Sequence, residues 1–238
     1  MEEKVKIKIC GLRTKEDAAA VNEVLPDFVG FVFDPTRKRY IPPEKAESIR
    51  NLLDPRIRSV GVFVDAGTED ILHTLTVCHL DALQLHGQER DEDILLLQKE
   101  LENLFYDHSI PGDGCRRMTD NERKLETQSK ARPAIIKAFR IDTIEDIRRA
   151  EASPADGILL DHGPGGTGER FDWSLLEHCH RPFFLAGGLT PDNVGEAIRL
   201  VHPFGVDVSS SLETDGHKDP EKIRKFMAAV RAAGKETT

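Results

Sequence analysis

The feature that most constrains the fold is a regular alternation of short β-rich runs and helical segments along the chain. Eight runs are predicted to be strands: Val5–Cys10, Phe28–Phe33, Ser59–Val64, Ala82–His86, Ala134–Phe139, Gly157–Asp161, Phe183–Ala186 and Gly205–Ser209. Helical spacing of apolar residues lies between them, at Pro43–Leu53, Asp70–Val77, Thr143–Glu151, Asn193–Val201 and Pro220–Ala233. Cap signals predict helix starts at Thr14, Thr68, Thr143 and Thr190, the last with Pro191 as the first helical residue.

Eight strands, each followed by a helical stretch, predict one α/β domain over residues 1–238, folded as a closed (β/α)₈ TIM barrel. A doubly wound open sheet is the rival fold, but it usually carries fewer strands and a single glycine-rich phosphate turn. Leu104–Arg132 breaks the alternation and is predicted to be a loop insertion after the fourth helix. Such a loop would open on the face opposite the active site, and a mobile lid over the site is the alternative.

Charge and cysteine usage exclude several classes of protein. The net charge of −9 argues against a nucleic-acid partner, which calls for a basic face, but it is compatible with a phosphorylated small molecule. The four cysteines contain no CxxC pair, so neither a zinc site nor a disulfide framework is indicated. Without a secretory signal or an apolar run of transmembrane length, we expect a cytoplasmic protein with no membrane partner.

Strand alternation predicts which side chains of the first strand face the barrel interior. Val5, Ile7 and Ile9 form an apolar set that should face the helices, so Lys8 and Cys10 should point inward. A thiol at the carboxyl end of a barrel strand is a candidate base or nucleophile, although most free cysteines simply pack in a core. Lys8 would either favour the thiolate or pair with an interior carboxylate, and the residues alone leave both roles open.

Three further polar residues stand at strand ends. Asp161 ends an apolar strand and precedes a glycine-rich loop, so a catalytic acid is favoured over a helix cap or a turn former. His86 has inward parity together with Gln84, and its role is either catalytic or that of a satisfied core histidine. Arg39 follows the second strand, where its guanidinium could bind a substrate carboxylate through two parallel hydrogen bonds.

Glycines and serines near the last strands predict a phosphate site. Barrels of this class commonly bind phosphate between the loops after strands seven and eight. A single glycine pair would be weak evidence, since tight turns need glycine anyway. The candidate phosphate-binding residues are Gly166, Gly168, Gly187, Gly188, Ser209 and Ser210.

The stretches that carry a family resemblance keep one order along nearly the whole chain, excluding 104–132. They are Lys8–Gly11, Gly30–Phe33, Lys38–Ile41, Gly61–Val64, Gln84–Gly87, Leu159–Asp161, Gly165–Gly168 with Phe171–Trp173, Ala186–Leu189 with Asn193–Val194, Val206–Ser210 and Gly216–Asp219. Together they resemble the phosphoribosylanthranilate isomerase (TrpF) family.

The resemblance implies a (β/α)₈ barrel that performs an Amadori rearrangement. N-(5′-phosphoribosyl)anthranilate would become 1-(2-carboxyphenylamino)-1-deoxyribulose 5-phosphate, with no metal or cofactor, in a monomer or a homodimer. The family's general base corresponds to Cys10 and its general acid to Asp161, which must be protonated when substrate is bound. We expect burial in the barrel mouth to favour that protonated acid. The resemblance also places Arg39 on the anthranilate carboxylate and Asp207 near the substrate.

One position departs from the family pattern, and three rival functions are open. Ser211 stands where the family usually has glycine, so it would either strain the turn or donate to the phosphate. One rival is a phosphosugar aldolase that uses Lys137 as a Schiff base. Another is a phosphoribosyl-ligand sensor without turnover, supported by Ser211 and the insertion. The third, a histidine-pathway isomerase with two catalytic aspartates, is disfavoured by the thiol of Cys10.

Overall fold

The computed structural model describes residues 4–105, 132–161 and 173–236, and its central feature is a closed barrel of eight parallel strands in chain order. The strands are β1 Lys6–Cys10, β2 Phe28–Val32, β3 Arg58–Phe63, β4 Ala82–Leu85, β5 Ala134–Arg140, β6 Gly157–Asp161, β7 Phe183–Ala186 and β8 Gly205–Val208. Each strand end lies within one residue of its predicted position. The predicted (β/α)₈ barrel is therefore confirmed.

Helices cover the outside of the barrel between the strands. In the described residues they are α1 Lys15–Val24, α2 Pro43–Arg50, α3 Thr68–Val77, α4 Asp91–Phe105, α5 Ile144–Ala152, α6 Val194–Val201 and α7 Pro220–Glu236. Two 3₁₀ helices, Trp173–His178 and Ser210–Leu212, follow β6 and β8. A short antiparallel hairpin of β9 (Glu213–Thr214) and β10 (His217–Lys218) comes next in the chain.

Two of the predicted helix caps are confirmed, and two are wrong. Thr14 and Thr143 each form a capping box with the aspartate three residues later. Thr68 is the first residue of α3 rather than its cap, since Gly67 holds the cap position. Thr190 is not the cap of α6 and Pro191 is not its first helical residue, because α6 begins at Val194, within one residue of the predicted stretch Asn193–Val201, and an asparagine holds the cap position.

That asparagine is Asn193, which connects both ends of the turn before α6. Its Oδ1 accepts the backbone N–H of Thr190 at 2.8 Å, and its Nδ2 donates to the carbonyl of Gly188 at 3.0 Å. Residues 191–193 therefore form a turn instead of a first helical turn. The turn keeps the loop after β7 close to the barrel mouth.

Alternating side chains divide the apolar residues into two layers. Ile7 and Ile9 of β1 belong to the layer between the strands and the helices, whereas Lys8 is buried on the other face, as predicted. The barrel interior is filled by a second cluster, Val60, Ala82, Ile136, Ala138, Leu159, Phe184 and Ala186. The strand residues that line the mouth of the barrel, among them Cys10, Asp161 and Asp207, lie at or near the carboxyl ends.

Two predictions concern residues that the structure does not describe. The insertion predicted at 104–132 falls almost wholly on 106–131, outside the described residues, so it stays a prediction, as does the single-domain organisation of 1–238. In the ranges that are described, no helix is both long and apolar enough to cross a membrane.

Candidate active site

The carboxyl ends of the strands surround a cavity of about 970 Å³. Nine of the predicted site residues line it: Cys10, Arg39, His86, Asp161, Gly187, Gly188, Asp207, Ser209 and Ser210. The other two, Gly166 and Gly168, lie outside the described residues. The structure therefore brings the described candidates from β1, β2, β4, β6, β7 and β8 to one place.

Cys10 ends β1 and is buried beside two valines, Val32 and Val62. Gly30 on β2 leaves room for the thiol, since a Cβ at that position would come within 2.7 Å of Sγ. Burial raises the pKa of Cys10 and outweighs the opposing charge of Lys8 beneath it. Lys8 thus favours the thiolate, as one of its two open roles predicted, but the pKa of Cys10 still lies above its ordinary value, so Cys10 is a thiol at neutral pH in the unliganded protein.

Lys8 forms a buried ion pair with Asp207 of β8. Its Nζ lies 2.8 Å from Oδ2 of the aspartate, and although burial acts to lower the pKa of Lys8, the interactions with Asp207 and Cys10 together raise it. Both open roles of Lys8 thus apply: it pairs with an interior carboxylate, and its charge partly offsets the cost of ionising Cys10. The second oxygen of the aspartate, Oδ1, is buried without a hydrogen-bond partner among the described residues.

Asp161 is connected to His86 and Gln84 across the barrel mouth. Its Oδ2 lies 3.3 Å from Nε2 of His86, and Nδ1 of the same ring lies 2.8 Å from Nε2 of Gln84. The Asp161 side chain is 22% exposed, so it is only partly shielded from water. Gln84 is fully buried on β4, whereas the imidazole reaches into the cavity. His86 is thus not a core histidine but a partner of the candidate acid.

Arg39 is held by a carboxylate that sequence reasoning missed. Its Nε and one terminal nitrogen donate to the two oxygens of Glu213 at 2.6 and 2.8 Å, and this bidentate pair raises the pKa of the guanidinium. Buried Lys218 donates to the same carboxylate at 3.0 Å and to the carbonyl of Ser209. Although burial acts to raise the pKa of Glu213, these two cations outweigh it and lower that pKa.

The short hairpin β9–β10 places these charges at the site. It carries Glu213 and Lys218 on paired residues of its two strands, and Arg13 bridges it to the loop after β2 by donating to the carbonyls of Gly216 and Lys38. The resemblance stretch 216–219 contained Lys218, and this was the one sequence signal that could have indicated its role. The two parallel hydrogen bonds of Arg39 that were expected to bind the substrate are instead made to Glu213.

The loops after β7 and β8 are shaped by glycines and linked by serines. Gly187 and Gly188 have φ values of 92° and 62°, in the left-handed region that favours glycine. The hydroxyl of Ser209 donates to the carbonyl of Cys10 at 3.0 Å, and that of Ser211 donates to the carbonyl of Leu189 at 2.5 Å. Because the φ of Ser211 is not positive, the expected strain is absent. One of the two supports for the sensor alternative is thereby removed.

Lys137 does not fit the aldolase alternative. Its Nζ donates to Glu89 at 3.0 Å and to the carbonyl of Gly87 at 2.8 Å. Both side chains of the ion pair are almost fully buried, and Lys137 is not among the residues that line the cavity. A Schiff-base lysine must be neutral and reach its substrate, so this ion pair disfavours that chemistry.

Comparisons with known proteins agree with this geometry. The family model described as N-(5'phosphoribosyl)anthranilate (PRA) isomerase matches residues 7–106 and 119–229. The N-(5'-phosphoribosyl)anthranilate isomerase of a Thermoanaerobacter species is 38% identical over 233 residues, which cover 95% of this chain and 98% of that protein.

Solved structures of the same kind superpose over the whole barrel. Phosphoribosyl anthranilate isomerase from Thermotoga maritima matches with a TM-score of 0.76 and 36% identity, covering 96% of this chain and 99% of that one. A phosphoribosyl anthranilate isomerase in complex with reduced 1-(o-carboxyphenylamino)-1-deoxyribulose 5-phosphate matches with a TM-score of 0.74, 35% identity and the same coverage.

Proposed function

The chain belongs to the N-(5′-phosphoribosyl)anthranilate isomerase family of tryptophan biosynthesis, and we propose that it isomerises its substrate with Asp161 as general acid and Cys10 as general base. The observation that carries the proposal is that both side chains open into one cavity from different strands. An acid and a base on separate strands can act on different atoms of one substrate held between them.

The proposed reaction begins at the ribose ring. Asp161 donates its proton to the ring oxygen as the bond from that oxygen to C1′ breaks, and the anthranilate nitrogen supplies electrons to form an iminium ion. Cys10, as thiolate, then removes the proton from C2′, and the electrons of that bond neutralise the iminium to give an enolamine. The thiol of Cys10 then returns its proton to C1′, and the carboxylate of Asp161 accepts the proton of the C2′ hydroxyl, which gives the ketone and restores both groups to their starting states.

The thiol form of Cys10 in the unliganded site adds a cost to this reaction. Each unit by which the pKa of a base lies above the working pH costs about 1.4 kcal/mol for its ionisation. The iminium ion offsets that cost in two ways, because it acidifies C2′ and brings a positive charge close to the sulfur. The charges of Lys8 and Lys218 already act in the same direction.

Substrate recognition follows from the charged groups around the cavity. Arg39, fixed by Glu213, would direct an N–H group that this pair does not use toward the anthranilate carboxylate. The unpaired Oδ1 of Asp207 would accept a hydrogen bond from a hydroxyl of the sugar. The backbone of Gly187 and Gly188, with Ser210, would hold the phosphate, and we extend this site to Gly166 and Gly168 from the sequence alone.

The function is tested by adding purified protein to phosphoribosylanthranilate. We expect the fluorescence of the substrate to decay without added metal or cofactor, and mass spectrometry to find a product of unchanged mass. Equal decay with and without the protein would refute the proposed activity.

A further inference from the structure

The buried amide of Gln84 is oriented by its hydrogen-bonding needs. In the structure its Nε2 faces Nδ1 of His86, while its Oε1 has no partner among the described residues. The opposite orientation would place both N–H groups of the amide where Oε1 now lies without a partner. Leaving buried donors unpaired is less common in proteins than leaving a carbonyl underused, so the observed orientation is favoured.

This orientation determines the protonation state of His86. An amide N–H that donates to Nδ1 requires a lone pair on that atom, so the proton of the neutral ring lies on Nε2. The hydrogen on Nε2 then lies on the atom that faces Oδ2 of Asp161 across 3.3 Å. An imidazolium ion would carry a hydrogen on Nδ1 as well, which would face the N–H of Gln84 donor to donor.

We propose that Gln84 is a positioning residue that keeps His86 neutral, so that His86 donates a hydrogen bond to Asp161 without forming an ion pair with it. This inference rests on the proposed role of Asp161 as general acid. A cation 3.3 Å from the carboxylate would favour its ionised form, and an ionised Asp161 has no proton to give. A neutral N–H donor holds the carboxyl group in place and stabilises the carboxylate left after proton transfer.

The other charged side chains near His86 hold partners elsewhere or lie at the rim of the cavity. Lys137 on β5 is paired with Glu89 of the loop after β4. Asp65, from the loop after β3, accepts the backbone N–H of Gln88. Beyond Asp161, the charged residues that share the cavity are Arg39, paired with Glu213, and Asp207, paired with Lys8, together with Arg37 and Lys38 at its rim. Gln84 is therefore the group in contact with Nδ1.

The direct test is nitrogen NMR of the histidine rings in the full-length wild-type protein. We expect the ring of His86, assigned by its loss in His86→Gln, to show an unprotonated Nδ1 and a protonated Nε2 at pH 7. A protonated Nδ1 at pH 7, in a neutral ring or an imidazolium, would overturn the proposal. Because this measurement needs no turnover, its outcome is separate from that of the isomerase assay.

Two variants at position 84 supply the functional test. Gln84→Glu replaces the donor by an acceptor and favours the imidazolium, so we expect kcat at pH 7 to fall at least tenfold and to recover as the pH is lowered. Gln84→Met is the matched variant of similar length that removes the donor without adding a charge, so we expect a smaller fall in kcat at pH 7 that also recovers as the pH is lowered. Equal losses in both variants, with an unchanged pH profile, would show that the side chain only fills space and would refute the proposal.

Discussion

Replacing Glu213 by Gln removes one negative charge that two cations share, and the structure allows its cost to be worked out. The carboxylate accepts three charged hydrogen bonds, two from Arg39 and one from Lys218, and its own side chain is 12% exposed. A hydrogen bond to a charged group contributes about 1.5–3 kcal/mol and a neutral one about 0.5–1.5, so the two bonds that the amide oxygen can keep lose roughly 1 kcal/mol each. The third bond is lost outright, because the amide nitrogen that replaces the other oxygen cannot accept it. Since Arg39 is partly exposed, we expect a net loss of about 2–3 kcal/mol in the free energy of unfolding.

The same substitution should weaken substrate binding. Arg39 would lose the charged fork that fixes its guanidinium, so we expect KM to rise about tenfold, equivalent to about 1.4 kcal/mol, with kcat changed less than about threefold. Urea unfolding and steady-state fluorescence assays on the same preparation measure both effects.

A matched control lies on the surface of α7. Glu221 pairs with Arg224 at 2.6 Å but is 71% exposed, so Glu221→Gln should change stability by less than about 0.5 kcal/mol and leave KM unaltered. If Glu213→Gln behaved like this control in both assays, the proposed positioning of Arg39 would be refuted.

The effect of pH on this pair has a definite sign. The pKa of Glu213 is lowered in the folded protein, so its stabilising contribution is fully present above the pKa of an unfolded glutamate, about 4.3. That contribution is lost as the pH falls through the lower folded-state pKa. The difference in stability between the wild type and Glu213→Gln should therefore shrink below about pH 4.

Two further predictions concern Cys10. Gly30→Ala would place a Cβ 2.7 Å from the sulfur of Cys10, so we expect a loss of about 1–3 kcal/mol in stability and a reduced kcat. In the control Gly157→Ala, the new Cβ meets its nearest atom at 3.5 Å, so this variant should retain kcat. Equal activity in both variants would contradict the packing argument. Because burial raises the pKa of Cys10 above 9.0, its alkylation by iodoacetamide should be slow at pH 7 and accelerate about tenfold per pH unit up to pH 9; a plateau below pH 8 would contradict this.

Local patterns were sufficient for the barrel because each strand and its helix carry their own periodicity. Strand alternation also placed Lys8, Cys10 and Asp161 correctly, since inward parity depends only on sequence position along one strand. The cap of α6 was predicted wrongly because the side chain of Asn193, rather than the threonine cap signal, determines the turn before the helix.

Properties that depend on distant residues were not predictable. Glu213 and Arg39 are 174 positions apart, and no local pattern indicates that a two-residue strand will deliver a carboxylate to that guanidinium. The protonation of Cys10 also depends on two opposing effects. Lys8 lowers the pKa of Cys10, as predicted, but burial raises it more, and the degree of burial is a property of the whole barrel mouth.

The most direct test of the central claim is the turnover of Cys10→Ser and Asp161→Asn measured beside Cys179→Ser. Cys179 is half-buried after the 3₁₀ helix at 173–178 and does not line the cavity, so its variant should keep the wild-type kcat. General acids and bases each contribute about 10²–10⁴-fold, so we expect kcat to fall by at least about 10²-fold in each of the other two variants. Wild-type turnover in a folded Cys10→Ser or Asp161→Asn protein would contradict the proposed acid–base pair.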